Sequence, residues 1–141
     1  MTPAGADLRA ESSAVRFELT ALTPLLNVTQ RQHWTRRRRQ ILAVAWHVKL
    51  ALGEQRPDAP FPRARLRIER HSVGLPDYDG MVGGFKALID CLLPFHSTRR
   101  RYGLGVIADD NPAVLMADYP PPFRVAHRAA QRVVVTIEQL A

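Results

Sequence analysis

Two aspartates separated by a single residue are the feature of this sequence that most directly suggests chemistry. They are Asp77 and Asp79, in the segment Leu75-Pro76-Asp77-Tyr78-Asp79-Gly80. In an extended chain, side chains at i and i+2 point the same way, so both carboxylates would face one spot. Mg²⁺ favours such oxygen ligands and keeps places for water and phosphate oxygens, which suits phosphodiester cleavage. The alternative is an ordinary polar turn, in which Asp and Gly are common.

A second acidic pair and a lysine follow within the same part of the chain. Asp109 and Asp110 precede Asn111-Pro112. Adjacent side chains diverge in an extended segment, so one of the pair is expected to face the site while the other caps the turn. Lys86 and Asp90 are four residues apart and therefore neighbours on one helix face. They either form an ordinary surface ion pair or hold the lysine near a scissile phosphate.

Charge is distributed unevenly along the chain. The 141 residues include 20 basic and 13 acidic side chains, a formal charge of +7, and 18 of the basic residues are arginines. Between Asp77 and Asp118 the balance is −2, so the remainder carries +9. Arginine binds phosphate bidentately, so the basic part favours a polyanionic partner. Carboxylates repel phosphates unless a cation lies between them, so the acidic segment indicates more than simple electrostatic binding.

Two groups of arginines are the predicted DNA contacts. One surrounds the entrance of a predicted helix, and the other forms the outer face of a predicted strand. They are Arg31, Arg36, Arg37, Arg38, Arg39, Arg63, Arg65 and Arg67. The alternative for each group is a charged face that only contacts solvent.

Hydrophobic periodicity predicts four strands and two helices. Alternation of apolar and polar residues predicts strands, and apolar residues at helical spacing predict helices. In the first predicted helix, Ile41, Ala45, Val48 and Leu52 lie on one face. The first predicted strand begins at Val15. The other three cover Arg63 to Glu69, Ala113 to Tyr119 and Arg132 to Gln139. The predicted helices run from Trp34 to Leu52 and from Gly84 to Leu93, and Leu22 to Gln32 is a predicted loop.

This order of elements predicts an α+β fold with a mixed β-sheet and packed helices. The chain length suits one compact domain, expected at residues 14–141 after a loose lead at residues 1–13. Trp34, Trp46 and Cys91 are expected to pack in the core or between helices.

Membrane, secreted and zinc-binding classes are not expected. The longest stretch free of charge, Leu19 to Gln30, has 12 residues, against the roughly 20 needed to cross a bilayer. No secretory signal is visible, Cys91 is alone, and the five histidines show no metal-ligand spacing. The expected location is therefore the cytoplasm.

In combination, these motifs resemble the RusA family of Holliday junction resolvases. The family has an Asp-x-Asp, a helix with Lys and Asp four apart, and a Gly-rich approach to Asp-Asp. The matching pieces here are Asp77-Tyr78-Asp79, Lys86, Asp90, Gly105-Val106-Ile107-Ala108 and Asp109-Asp110. The order of these pieces carries the resemblance, because each short piece occurs in many proteins. It covers most of the chain, from about Val15 to Leu140.

The resemblance implies a Mg²⁺-dependent endodeoxyribonuclease that acts as a homodimer on branched double-stranded DNA at the nucleoid. Mn²⁺ would substitute for Mg²⁺. The implied metal ligands are Asp77, Asp79 and Asp110, with Lys86 as the catalytic lysine. Asp90 and Asp109 would support these groups through hydrogen bonds.

Two positions depart from the family pattern. Gly80 stands where the family commonly has Asn, and Lys86 lies seven residues beyond Asp79 instead of four. Either a helix begins early and shifts the lysine by a turn, or Gly83 and Gly84 belong to a loop that absorbs the insertion. The loop is the preferred interpretation because paired glycines disfavour a helix interior.

Two other functions are compatible with the same residues. The first is a basic DNA-binding protein without catalysis, whose acidic site is degenerate. The second is a metal nuclease that acts on flaps, single strands or RNA.

Overall fold

The computed structural model of the chain describes residues 14–25 and 33–141. These residues form five strands, three α-helices and two short 3₁₀ turns. The strands are β1 (Ala14–Leu19), β2 (Ala64–Ser72), β3 (Leu115–Asp118), β4 (Phe123–Arg124) and β5 (Arg132–Gln139). The helices are α1 (Trp34–Leu52), α2 (Tyr78–Gly83) and α3 (Lys86–Leu92).

The strands form one open, mixed sheet in the order β1-β5-β2-β3. β5 is antiparallel to both of its neighbours, whereas β3 and β4 pair in parallel with the two ends of β2. The parallel pairs need long crossovers, and α2 and α3 lie within the connection from β2 to β3. The predicted α+β class with a mixed sheet is therefore confirmed.

The core lies between the helices and one face of the sheet. Val15, Phe17 and Leu19 of β1 are buried on this face and alternate with exposed residues. Burial alternates in the same way along β2, and the register pairs buried residues across the strands. Side chains from all three helices pack against this face. Because a strand presents alternate residues to opposite sides, the sheet has one apolar face and one polar face.

Helix α1 has the bounds that the sequence predicts. His33 precedes it, and its side chain accepts a hydrogen bond from the Thr35 backbone N–H. Gly53 follows the last residue and caps the helix C-terminus. Ala45, Val48 and Leu52 of the predicted apolar face are buried. Burial of this stripe fixes the helix on the sheet, since helix propensity alone rarely does so.

The polar face of the sheet carries both signs of charge. Arg67 of β2 contacts Asp118 at 2.8 Å and Glu69 at 3.0 Å. Arg65 is paired in the strand register with Glu138 of β5. The strand face that the sequence presents as almost all arginine is therefore partly neutralised by carboxylates from its own and neighbouring strands.

The segment after β2 differs from its prediction. Residues 77–80 were expected to be extended, but Tyr78–Gly83 is helical and Asp77 caps this helix. The second predicted helix is confirmed only at Lys86–Leu92, because Gly84 and Phe85 form a turn between α2 and α3. An aspartate followed by an acidic first turn stabilises a helix N-terminus, so the same residues that suggest a metal site also start a helix.

Both tryptophans were expected to be packed, and this is wrong. Trp34 is 65% exposed and Trp46 is 57% exposed, whereas Cys91 is buried as predicted. Trp46 lies on a side of α1 that the sheet does not cover. The predicted lead at 1–13 and Arg31 lie outside the described residues. No helix in the described part of the chain is long and apolar enough to cross a membrane.

The connection from β1 passes directly over the turn between α2 and α3. Buried Arg70 donates from Nη1 to the Thr23 carbonyl at 2.7 Å and holds this connection in place. A Cβ at position 84 would overlap the Pro24 carbonyl oxygen. Gly84 is therefore required by the close approach of two backbones.

We predict that Gly84→Ala destabilises the fold by about 1–3 kcal/mol or more, because a methyl group there forces two backbones apart. Gly74→Ala is the matched control, since a Cβ at position 74 meets nothing within 4 Å, and a change of at most about 0.5 kcal/mol is expected. Urea unfolding of both variants measures the difference. Equal unfolding midpoints would show that Pro24 does not cross Gly84.

Candidate functional site

A cavity of about 510 Å³ lies between α3 and the chain that leads into β3. Three charged side chains line it, namely Lys86, Asp90 and Asp110, together with Tyr119. The rest of the lining is mostly apolar and includes Val82, Ile89, Pro112, Leu115 and Ala117. Two carboxylates and a lysine thus face one concave, largely apolar surface, which is the usual composition of a binding or catalytic site.

The approach to the second acidic pair is fixed by hydrogen bonds to the end of α3. The backbone N–H groups of Val106 and Ile107 donate to the Leu92 carbonyl at 2.8 and 3.0 Å. Val106 in turn accepts from Phe61 at 2.8 Å. Gly105 allows this path because its φ is +68°, a conformation that other residues rarely adopt. The pair at 109–110 therefore starts from a rigid segment.

Asp109 and Asp110 have different environments. Asp110 lines the cavity. Asp109 Oδ1 accepts a hydrogen bond from the Asp110 backbone N–H at 2.8 Å. Asn111 then turns the chain, since its side chain accepts from the Ala113 N–H at 2.9 Å. Asp110 therefore lines the cavity, but the turn is capped by Asn111 and not by Asp109, which differs from the prediction that the other aspartate of the pair caps it.

Lys86 and Asp90 form the expected pair on one face of α3. Lys86 Nζ lies 3.7 Å from Asp90 Oδ1, and the side chains are 78% and 21% exposed. Burial raises the pKa of Asp90, the lysine opposes this rise, and the nearby Asp110 carboxylate adds to it. Because Lys86 is mostly in solvent, its pairing contributes little stability. Asp90 and Asp110 are thus a repelling pair that a cation would stabilise.

Asp77 and Asp79 do not lie on an extended segment, although the sequence predicted one. Asp77 Oδ2 accepts a hydrogen bond from the Gly80 N–H at 3.0 Å, and Asp79 is in the first turn of α2. Neither residue lines the cavity. The expectation of two carboxylates on one side of an extended strand is wrong, because the segment gains backbone hydrogen bonds by forming a helix.

The donor groups of the cavity suit magnesium only in part. In residues 14–25 and 33–141, no three His, Cys, Asp or Glu side chains are grouped to hold a metal ion. The predicted set of Asp77, Asp79 and Asp110 is therefore not assembled in this conformation. Mg²⁺ is often bound by one or two carboxylates together with water and substrate phosphates. Asp90 and Asp110 supply that number of carboxylates and leave the other ligand positions to water or substrate.

Two tyrosines at this site were not among the site residues predicted from the sequence. The Tyr78 hydroxyl donates to the Tyr119 carbonyl at 2.6 Å, which ties α2 to the end of β3. Tyr119 lines the cavity, and its ring packs edge-on against the ring of Phe85, with 5.5 Å between the ring centroids. Burial raises the pKa of Tyr119, with further contributions from Tyr78 and Asp110. The central position of Tyr78 in Asp-Tyr-Asp is the one sequence signal that points to it.

The predicted DNA-binding arginines lie on different surfaces. Arg36 to Arg39 are exposed in the first turns of α1, on the helical side of the sheet. Arg65 and Arg67 are on the polar face of the sheet, where ion pairs already occupy Arg67. Arg63 donates to the carbonyl of Ala141. The arginines of α1 are therefore exposed, whereas Arg63 and Arg67 already have partners.

In comparisons with known proteins, no family model, no curated protein and no solved structure matches this chain. The resemblance to the RusA family thus stays a prediction that rests on the motif residues.

We predict that Asp77→Ala lowers the free energy of unfolding by about 0.5–2 kcal/mol, since Ala cannot cap α2. Asp77→Asn should cost less, because Asn also accepts the cap hydrogen bond while lacking the charge. Urea unfolding of the two variants separates capping from charge. If both variants were as stable as the parent, Asp77 would not cap α2.

A second prediction concerns the pH dependence of stability. The raised pKa of Asp90 means that its ionised form disfavours folding. Asp90→Asn should therefore increase the free energy of unfolding at neutral pH. This advantage should disappear as the pH falls below the ordinary carboxylate range, because Asp90 itself is then neutral.

Urea unfolding between pH 3 and pH 8 measures this effect. The exposed Asp58 provides the control variant Asp58→Asn, for which no comparable gain is expected. A gain for Asp90→Asn that persists unchanged at acid pH would contradict burial of the charge as the cause.

Proposed function

We propose that this chain is a Mg²⁺-dependent endonuclease that cleaves branched double-stranded DNA, with four-way junctions as the substrate. The observation that supports this most strongly is the presence of Asp90, Asp110 and Lys86 on one cavity of a strongly basic chain. A carboxylate pair of this kind is useful to a DNA-binding protein only if a cation separates it from phosphate. The motif resemblance supports the same conclusion.

The cavity residues have distinct roles in this proposal. Asp110 and Asp90 would hold the metal, which when bound polarises the phosphate and activates water. The Asp109 carboxylate keeps the Asp110 backbone in place through its hydrogen bond. Lys86 is exposed and reaches the rim, where an ammonium group can bind the scissile phosphate or stabilise charge on the leaving oxygen. Asp77 and Asp79 are the further ligands that the resemblance implies.

The basic surfaces would position the DNA. Phosphate contacts fix the register of a duplex without entering the chemistry, and Arg36 to Arg39 are suited to this. A homodimer would supply the two sites that paired nicks across a junction require. A DNA substrate of this kind would place the protein in the cytoplasm at the nucleoid.

The decisive experiment is cleavage of a labelled synthetic four-way junction in Mg²⁺, in Mn²⁺ and in EDTA. A linear duplex of the same sequence serves as the substrate control. We predict metal-dependent nicks in the junction and at least about tenfold slower cleavage by Asp110→Asn than by Asp109→Asn, because only Asp110 lines the cavity. Mn²⁺ should restore Asp109→Asn better, since its defect is one of positioning.

The opposite outcomes are equally informative. Greater damage from Asp109→Asn at saturating metal would mean that the wrong member of the pair has been assigned to the site. Tight junction binding without cleavage in either metal would favour a DNA-binding protein that has no catalytic activity. The same assay on Asp77→Asn and Asp79→Asn tests whether the start of α2 joins the metal site.

A further inference from the structure

A groove runs between α1 and the segment at residues 94–104, which follows α3. It consists of two adjoining cavities of about 380 and 360 Å³ that share Leu42, Arg101 and Tyr102. This groove does not include the acidic cavity residues. It is therefore a second concave surface, separate from the proposed catalytic site.

Large apolar side chains are exposed along the groove. Trp46 is 57% exposed and Phe95 is 62% exposed, and Leu42 also lies open beside them. Trp46 is one turn of helix beyond Leu42, so both lie on one side of α1. Scattered apolar residues on a surface are ordinary, but a group of them around one groove indicates a binding site.

Cations surround these rings. The six basic residues that line the two cavities are Arg37, Arg38, Lys49, Arg56, Arg99 and Arg101. No acidic side chain is among the described residues that line them. Some of these cations also support the fold, since Arg56 Nε donates to the Leu104 carbonyl at 2.7 Å and Arg101 Nε to Ser97 at 2.7 Å. The side chains that line the two cavities therefore carry a net positive charge next to exposed aromatic rings.

This charge restricts what the groove can bind. A second copy placed symmetrically on the groove would bring like charges together, which costs free energy. A rigid duplex offers phosphates, but its bases are stacked and do not reach Trp46 or Phe95. Single-stranded nucleic acid offers both phosphates and open base faces, which stack on aromatic side chains.

We propose that the groove between α1 and residues 94–104 binds single-stranded DNA, with Trp46 and Phe95 stacking on bases and the surrounding arginines contacting phosphates. DNA fits better than RNA because the lining has few neutral polar groups, Thr98 and Tyr102, to recognise a 2′-hydroxyl. The inference goes beyond junction cleavage. It shares with the proposed function only the assignment of Arg37 and Arg38 to nucleic acid.

The groove is close to the acidic cavity. Asp90 of the cavity is followed on α3 by Cys91, whose thiol contacts the carbonyl of Ile41 in the groove lining at 3.7 Å. The Asp90 carboxylate also adds to the rise in the pKa of Tyr102 that burial causes. An unpaired strand held in the groove would thus lie beside a duplex at the cavity. Substrates with single-stranded arms or gaps would use both surfaces.

The test uses binding of a fluorescein-labelled (dT)12 oligonucleotide to the full chain in EDTA, followed by anisotropy at several salt concentrations. Each aromatic truncation, Trp46→Ala and Phe95→Ala, should weaken binding about tenfold, the loss of one stacked base. Arg101→Ala should reduce the slope of log affinity against log salt by about 0.7, the share of one phosphate contact. Binding of a duplex of equal length should change less than twofold in the aromatic variants.

Matched controls come from exposed rings outside the groove. Trp34→Ala is the control for Trp46→Ala, and Phe123→Ala, whose ring stacks on His71, is the control for Phe95→Ala. Both controls should retain the affinity of the parent. The Trp34→Phe variant leaves Trp46 as the one tryptophan of the chain, and its fluorescence should be quenched by (dT)12. Circular dichroism and thermal unfolding confirm that each variant is folded.

Several results would overturn the inference. The first is an unchanged (dT)12 affinity in the variant that carries both Trp46→Ala and Phe95→Ala. The second is that (dT)12 does not quench the Trp46 fluorescence of the Trp34→Phe variant. The third is tighter binding of (rU)12 than of (dT)12 through the same rings. Displacement of (dT)12 by poly-glutamate that depends on Trp46 would instead identify an acidic protein as the partner. Loss of a dimer in Trp46→Ala, seen by sedimentation, would identify a second copy. Because no metal is present, a failure of junction cleavage leaves this test unaffected.

Discussion

The hydrogen bonds between the end of α3 and residues 104–107 are the interaction on which both candidate surfaces depend. Carbonyls of Cys91, Leu92 and Leu93 accept from the backbone N–H groups of this segment at 2.8 to 3.0 Å. The last carbonyls of a helix need such partners when they are buried. On one side, the fixed segment leads to Asp110 and the acidic cavity. On the other side, it closes the loop that carries Phe95 and Tyr102 against α1, so the two surfaces share one support.

The fold separates charges that the chain mixes along its length. On the polar face of the sheet, Arg67 is balanced by Glu69 and Asp118. Among the described residues, two carboxylates and one lysine line the acidic cavity, whereas six cations and no acidic residue line the groove. Unbalanced charge of either sign costs stability in the absence of a partner, so these regions are where a ligand gains the most. In the two proposals, a metal and a nucleic acid would supply the opposite charges.

Helix α1 contributes side chains both to the core and to the lining of the groove. Its buried side holds Val48 and Leu52 against the sheet, while Leu42 and Trp46 face the groove. The Cys91 thiol, whose pKa burial raises to about 12, packs against the same helix and contacts the Ile41 carbonyl at 3.7 Å. Such a thiol is unreactive, so the contact between α1 and α3 is structural. The acidic cavity and the groove, which carry the proposed ligand-binding side chains, lie on either side of this contact.

The sequence by itself determines those helices and strands for which only one periodic pattern of apolar residues fits. Alternation predicts β5 at Arg132–Gln139, and the apolar stripe followed by Gly53 predicts where α1 ends. The local sequence pattern is compatible with more than one conformation of residues 77–80. It therefore does not decide whether Asp77 is a metal ligand or a helix cap. The apolar stripe identifies the buried side of α1, but the sequence does not show whether another element covers Trp46, which lies outside that stripe. Only the tertiary structure brings Asp90 beside Asp110 and places Phe95 beside Trp46, because the contacts between residues distant in sequence depend on how α3 and its loop pack.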